Sequence, residues 1–215
     1  MSRGSLITIE GIDGAGKSTL AAALLSELRA RGATIEGLRE PGGVELSERI
    51  RALLADPALE VGAAAEALLY ASARAELVRA RVAPLLAAGT DVLLDRYVDS
   101  SLAYQGVARG LGLEAVRAIN LLATNGVSPD RTLLLRIEPA LARERLRSRG
   151  AAPDRLEAAG ADFFARVAAA YDALAAAEPE RIRTIDAAAA PERVLALALA
   201  QLADLPSSGS PPGGP

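Results

Sequence analysis

Residues 5–32 read "SLITIEGIDGAGKSTLAAALLSELRARG": an apolar run, a glycine-rich turn, then leucines at helical spacing closed by Gly32. A strand that feeds straight into a helix narrows the choice of architecture. It points to a sheet whose strands are joined by helical crossovers, because parallel neighbours cannot be linked by a tight turn. The turn itself has chemistry. Gly11, Gly14 and Gly16 let backbone N–H groups point inward around an oxyanion without Cβ collisions. Lys17 adds a positive charge, and the helix beginning there adds its N-terminal dipole. Gly11, Ile12, Asp13, Gly14, Ala15, Gly16, Lys17, Ser18 and Thr19 therefore form a candidate phosphate cradle, matching G-x-x-x-x-G-K-[ST]. The Ser18 hydroxyl suits Mg²⁺, which keeps several of its waters when it accompanies a nucleoside triphosphate. An ordinary glycine-rich turn is the bland alternative, and its place between a strand and a helix speaks against it.

The rest of the chain repeats the alternation. Strands are expected at 33–40, 91–95, 131–137 and 181–186. Helices are expected at 44–55, 63–88, 98–124 with an interruption at "RGLG", from Pro139 onward, at 157–177 and from Pro191. The expectation is an α/β fold with a five-stranded parallel sheet covered on both faces, in one domain over residues 1–205. The tail "PSSGSPPGGP", residues 206–215, has nothing with which to build a core and is expected to be disordered. Ligands of such sheets bind beyond the carboxyl ends of the strands. The loops "GIDGAGKS", "REPGG" and "DRY" all leave such ends, so they should share one site.

Composition removes whole classes of chemistry. The 215 residues include no cysteine and no histidine, which excludes disulfides, thiolate nucleophiles and imidazole bases. A net charge of −3 gives no general attraction for nucleic acid. No signal-peptide-like or bilayer-length apolar run is evident, so a cytoplasmic protein is expected. A guanine-reading Asn-Lys-x-Asp run is missing: Asn120 and Asn125 are the only asparagines, and neither precedes a lysine. What remains is carboxylates, hydroxyls and cations. At the end of the strand "DVLLD", Asp95 can hold metal-bound water and Arg96 can grip a phosphate, with Arg39 of "REPGG" as a second wall.

In "IEGIDGAGKSTL", "REPGG", "LLYASARAELV", "DRYVDSSLAYQG", "SPDRTLLLRIEP", "DRLEAAGADFFARV" and "TIDA", taken in order, the chain resembles the thymidylate kinases over residues 5–200. The resemblance implies a P-loop NTPase-type α/β/α fold with a short mobile lid at about 143–157, ATP as phosphoryl donor, Mg²⁺, dTMP as acceptor and a homodimer. It also implies roles. Asp13 would accept from the dTMP 3′-hydroxyl, Tyr70 would stack on thymine and Arg74 would donate to a thymine carbonyl. Arg96, helped by Arg39, would hold the dTMP phosphate. Ser101 would face the thymine edge, Tyr104 would crowd the sugar 2′ position, and Gln105 would follow on the same wall. Ser18 and Asp95 would serve the metal. Some members carry an arginine where this chain has Gly14. The resemblance is therefore to members whose catalytic arginine comes from the lid, with Arg149 and Arg155 as candidates beside Lys17 and Arg96, and Arg143 and Arg147 behind them. Read without the family, Tyr70 is a core aromatic and Arg74 a solvated helix-face cation. Two other readings stay open here: another nucleotide or small-metabolite kinase, which would differ at Tyr70, Arg74, Ser101 and Tyr104, and a nucleotide-binding regulatory ATPase, marked by slow hydrolysis without an acceptor.

Overall fold

The computed structural model describes residues 3–148, 150, 155–156 and 159–205. Strands β1 (Leu6–Glu10), β2 (Ile35–Arg39), β3 (Asp91–Asp95), β4 (Arg131–Arg136) and β5 (Ile182–Asp186) form one parallel sheet in the order β2-β3-β1-β4-β5. Every residue of β1 is buried, as a central strand covered on both faces requires. Alternation along β1 divides the core. Ile7 and Ile9 pack with Leu133, Leu135, Phe163 and Val167 on one face, while Leu6 packs with Leu77, Val82, Val92 and Leu94 on the other.

Helices α1 (Lys17–Ala30), α2 (Glu45–Ala55), α3 (Ala63–Leu77), α4 (Ala83–Ala87), α5 (Val98–Ser101), α6 (Leu113–Thr124), α7 (Pro139–Ser148), α8 (Ala161–Ala177) and α9 (Pro191–Ala200) supply the crossovers and the covering layers. The five-stranded α/β architecture expected from the sequence is the one observed. Two helices differ from expectation in a way that matters. The single helix expected at 63–88 widens into a π turn at Val78–Val82, just before Pro84, which has no N–H to continue the ladder. The helix expected at 98–124 is α5, a π-helical stretch at Leu102–Ala108, and α6 after Gly112. An α-helix would turn part of any five-residue run outward; here Leu102 through Gly106 are all buried, held between α6 and α8. The helix expected at 157–177 begins as α8 at Ala161 after Gly160. The expected tail at 206–215 lies outside the described residues, as does most of the tip of the expected lid.

The sheet register sets up the site. Arg39 stands opposite Asp95, and Asp95 opposite Ile9, so the three chain exits at this edge are neighbours. Among the described residues, no helix is long and apolar enough to cross a membrane.

Candidate active site

The glycine-rich turn closes on α1 with Gly16 as the residue before the helix, at φ 94°. Gly14, at φ 85°, is constrained twice: a Cβ there would sit 2.3 Å from the Ala142 carbonyl oxygen of α7. That contact explains why no long side chain can occupy position 14 in this chain. Lys17, 7% exposed, donates to the Ile12 carbonyl at 3.0 Å and lies 3.7 Å from Asp13. Burial and the neighbouring Arg96 push its ammonium down to about 8, against the pull of Asp13, Asp95 and Glu10. The Ser18 hydroxyl donates to Asp95 Oδ2 at 2.8 Å, linking the start of α1 to the end of β3. These residues line a pocket that continues past Arg39 toward Arg145, Ala187, Ala189 and Pro191.

A second pocket adjoins it, lined by Tyr70, Arg74, Ser101, Tyr104, Gln105, Leu54 and Leu156 among others. Asp13, Glu40, Arg51 and Arg96 line both, so the two spaces are neighbours that share these four side chains. Arg96 adopts φ 69°, unusual for a residue with a side chain, and is the first residue after β3. Its guanidinium holds Asp13, donates to Ser100 Oγ at 3.0 Å and the Gly11 carbonyl at 3.3 Å, and lies 5.1 Å above the Tyr104 ring. The Tyr104 hydroxyl donates to the other Asp13 oxygen at 3.1 Å. Burial works against a charged Asp13, but Arg96 and Lys17 overcome it and hold the carboxyl down to about 2. Behind this pair stands Glu10, fully buried, which accepts from the Tyr97 N–H at 2.8 Å, the Ser100 N–H at 3.2 Å and the Tyr171 hydroxyl at 2.9 Å. It satisfies N–H groups at the start of α5 that would otherwise be orphaned.

Arg74 is neither solvated nor free. It is 1% exposed; its Nε donates to Glu40 Oε2 at 2.8 Å, and its other nitrogens reach Ser101 Oγ at 3.0 Å, the Tyr97 carbonyl at 2.9 Å and Asn120 Oδ1. The partner Glu40 is itself buried, and its Oε1 has no hydrogen-bond partner among the described residues. Burial raises the Glu40 carboxyl to about 7, with Glu10 adding to the rise and Arg74 opposing it.

Most of the residues singled out in the sequence thus converge, in two groups that meet at Asp13 and Arg96. Gly11 and Ile12 contribute carbonyls from beneath the turn and line a neighbouring pocket instead. Arg39 lines the phosphate-loop pocket, paired with Glu48 at 2.9 Å, not the pocket of Tyr70. Arg155 is engaged on α2 and α3: it donates to the Leu54 carbonyl at 3.0 Å and pairs with Glu66 at 2.7 Å. Arg149 lies outside the described residues, while Arg143 and Arg147 sit on α7. Sequence reasoning missed Arg51, Arg145, Glu40 and Glu66. For Arg51 there was a signal. It follows buried Ser47 by four positions and precedes buried Leu54 by three, so although itself exposed it stands beside the buried stripe of α2.

The family model for thymidylate kinase matches residues 9–197. The chain is 48% identical to thymidylate kinase of Deinococcus radiodurans over 187 residues, which cover 87% of this chain and 90% of that protein. It is 42% identical to the Chlorobaculum parvum thymidylate kinase over 214 residues, covering 95% and 99% of the two. The crystal structure of thymidylate kinase from Ehrlichia chaffeensis superposes with a TM-score of 0.74 at 28% identity, covering 93% of this chain and 99% of that one.

Proposed function

The chain belongs to the thymidylate kinase family, and on that premise we propose how its two adjoining pockets phosphorylate dTMP. The observation that carries the reading is the seam: Asp13 and Arg96 line both pockets, so a donor and an acceptor phosphate would bind against the same two side chains. ATP takes the phosphate-loop side, its phosphates on the backbone N–H groups and Lys17, and its nucleoside toward Arg145, Ala187 and Pro191. dTMP takes the other side. Its base lies against Tyr70, Arg74, Ser101 and Gln105, its sugar beside Asp13 and Tyr104, and its phosphate on Arg96.

An oxygen of the dTMP phosphate attacks the γ-phosphorus of ATP in line. A new P–O bond forms to dTMP as the bond to the β-phosphate oxygen breaks, and ADP leaves with that oxygen's electron pair. The attacking oxygen is already ionised near neutral pH, so a chain without histidine lacks nothing. Catalysis is positioning and charge stabilisation by Lys17, Arg96 and the loop amides, with the arginines of residues 143–149 as further cations. Ser18 and Asp95 fit a hard divalent cation, since both offer oxygen at 2.8 Å from one another. No cluster of three ligating side chains exists among the described residues, so Mg²⁺ would keep waters and share phosphate oxygens. Bound there, it would neutralise charge on the phosphates. A homodimer and a cytoplasmic setting complete the reading. Exposed Leu68 on α3 and Leu121 and Leu122 on α6 are the apolar surface available to a second copy.

The test is ADP release from Mg-ATP, alone and with dTMP, dUMP, ribo-TMP, dCMP, dGMP or shikimate. A large rise with dTMP, with dUMP trailing, is expected. Preference for a non-pyrimidine acceptor would favour a different small-molecule kinase, and no rise with any acceptor would favour a regulatory ATPase.

A further inference from the structure

Glu66 on α3 is fully buried, yet it lines neither pocket. A carboxylate removed from water must be matched, and this one is matched by three long side chains. It accepts from Gln105 Nε2 at 2.9 Å, from Arg109 Nε at 3.3 Å and Nη2 at 3.2 Å, and pairs with Arg155 at 2.7 Å. Arg155 also donates to the carbonyl of Leu54, so it ties the chain at 155–156 to α2. Gln105, Leu54 and Leu156 are all walls of the acceptor pocket. Two of its three partners therefore lead, Gln105 directly and Arg155 through Leu54 and Leu156, to a surface that dTMP would touch, while Arg109 does not line that pocket.

We propose that Glu66 is a positioning residue for acceptor specificity: it fixes the Gln105 amide and, through Arg155, holds Leu54 and Leu156 in the pocket wall. The inference rests on the dTMP reading. Its chemical core is a polarity argument. A carboxylate can only accept, so Gln105 must turn its –NH₂ toward Glu66, and its carbonyl oxygen becomes the atom available to a ligand. A carbonyl suits a base that carries an imide N–H, as thymine and uracil do. Cytosine presents a bare ring nitrogen at that place and cannot donate. Replacing Glu66 by glutamine keeps the size but supplies an amide that can donate as well as accept, and Gln105 is then no longer forced to face one way. Arg155, on this assignment, acts on the acceptor wall.

The experiment is titration calorimetry of dTMP, dUMP and dCMP against the wild-type chain and Glu66→Gln, with steady-state kinetics and thermal unfolding alongside. Glu66→Gln is expected to weaken dTMP and dUMP together by about tenfold, while dCMP binding holds or tightens and the KM for ATP stays put. A parallel weakening of all three nucleotides, or no change in any, would overturn the proposal. Should Glu66→Gln fail to fold, Arg155→Gln tests the other arm, because Arg155 is tied only at the edge of the pocket. It is expected to raise the KM for dTMP severalfold while leaving both the dTMP-to-dCMP ratio and kcat largely unchanged. A collapse of kcat with unchanged KM values would place Arg155 at the transferring phosphoryl group and overturn its assignment to the wall. If the wild-type chain itself fails to bind dTMP, the family reading of the pocket falls first, and the two failures are told apart.

Discussion

At the scale of single residues, the site works by displacing ionisation equilibria. Lys17 is the informative case, since burial and Arg96 bring it down to about 8, inside the range where enzymes are assayed. The sign follows from charge. Below about 8 the ammonium is present and attracts phosphates; above it the free enzyme loses that attraction, while bound ATP holds the proton in place. The expected outcome is a fall of about fivefold in kcat/KM for ATP between pH 8 and pH 9, with kcat much flatter. A pH–rate profile of the wild type checks this, and a profile whose kcat/KM stays level across that interval would contradict it. Asp13, held near 2 by Arg96 and Lys17, stays ionised throughout and adds no second limb. Arg74 shows where sequence reading stops at this scale. Its partners Glu40, Ser101 and Asn120 lie 34, 27 and 46 positions away, so nothing local announces that its guanidinium is buried. Composition and periodicity make it a surface residue; only the family resemblance brought it into the site.

At the scale of elements, strand–turn–helix units were legible because each carries a local physical signature: a short apolar run, glycines, then a 3.6-residue repeat. The π-helical stretch at Leu102–Ala108 carries none. Five consecutive buried residues mix Tyr104 and Gln105 with leucine, alanine and glycine, and no periodic template anticipates them. The phosphate loop offers a sharper test of how an element is specified. Gly14 and Gly16 both have positive φ, but a Cβ on Gly14 meets the Ala142 carbonyl while one on Gly16 meets nothing within 4 Å. Gly16→Ala is therefore expected to cost about 1–2 kcal/mol, the price of a left-handed alanine. Gly14→Ala adds a collision with α7 and is expected to unfold several degrees lower than Gly16→Ala. Thermal unfolding of the two variants side by side decides it; equal midpoints would mean that α7 yields freely.

At the scale of the whole molecule, the convergence of three loops followed from the rule that parallel strands present ligands at their carboxyl ends, whereas the order of the strands was not legible in the sequence. The adjacency of the pockets did not follow from that rule either, because their shared lining includes Glu40, whose place in a turn gives no local sign that it is buried. Quaternary structure belongs here too. Leu122 is 85% exposed beside Leu121, more open than any other large apolar residue described. For a homodimer closed through α3 and α6, Leu122→Asp is expected to shift the chain to monomer at micromolar concentration. Sedimentation velocity reads this directly, and an unchanged coefficient for the variant would move the interface elsewhere. The lining that the two pockets share has one more consequence. The reaction exchanges one phosphoanhydride for another, so its equilibrium lies close to balance, and the contacts that carry a phosphoryl group toward dTMP carry it back from dTDP to ADP. A seam whose side chains serve both pockets has no preferred direction of its own; net flow is decided by whatever removes dTDP.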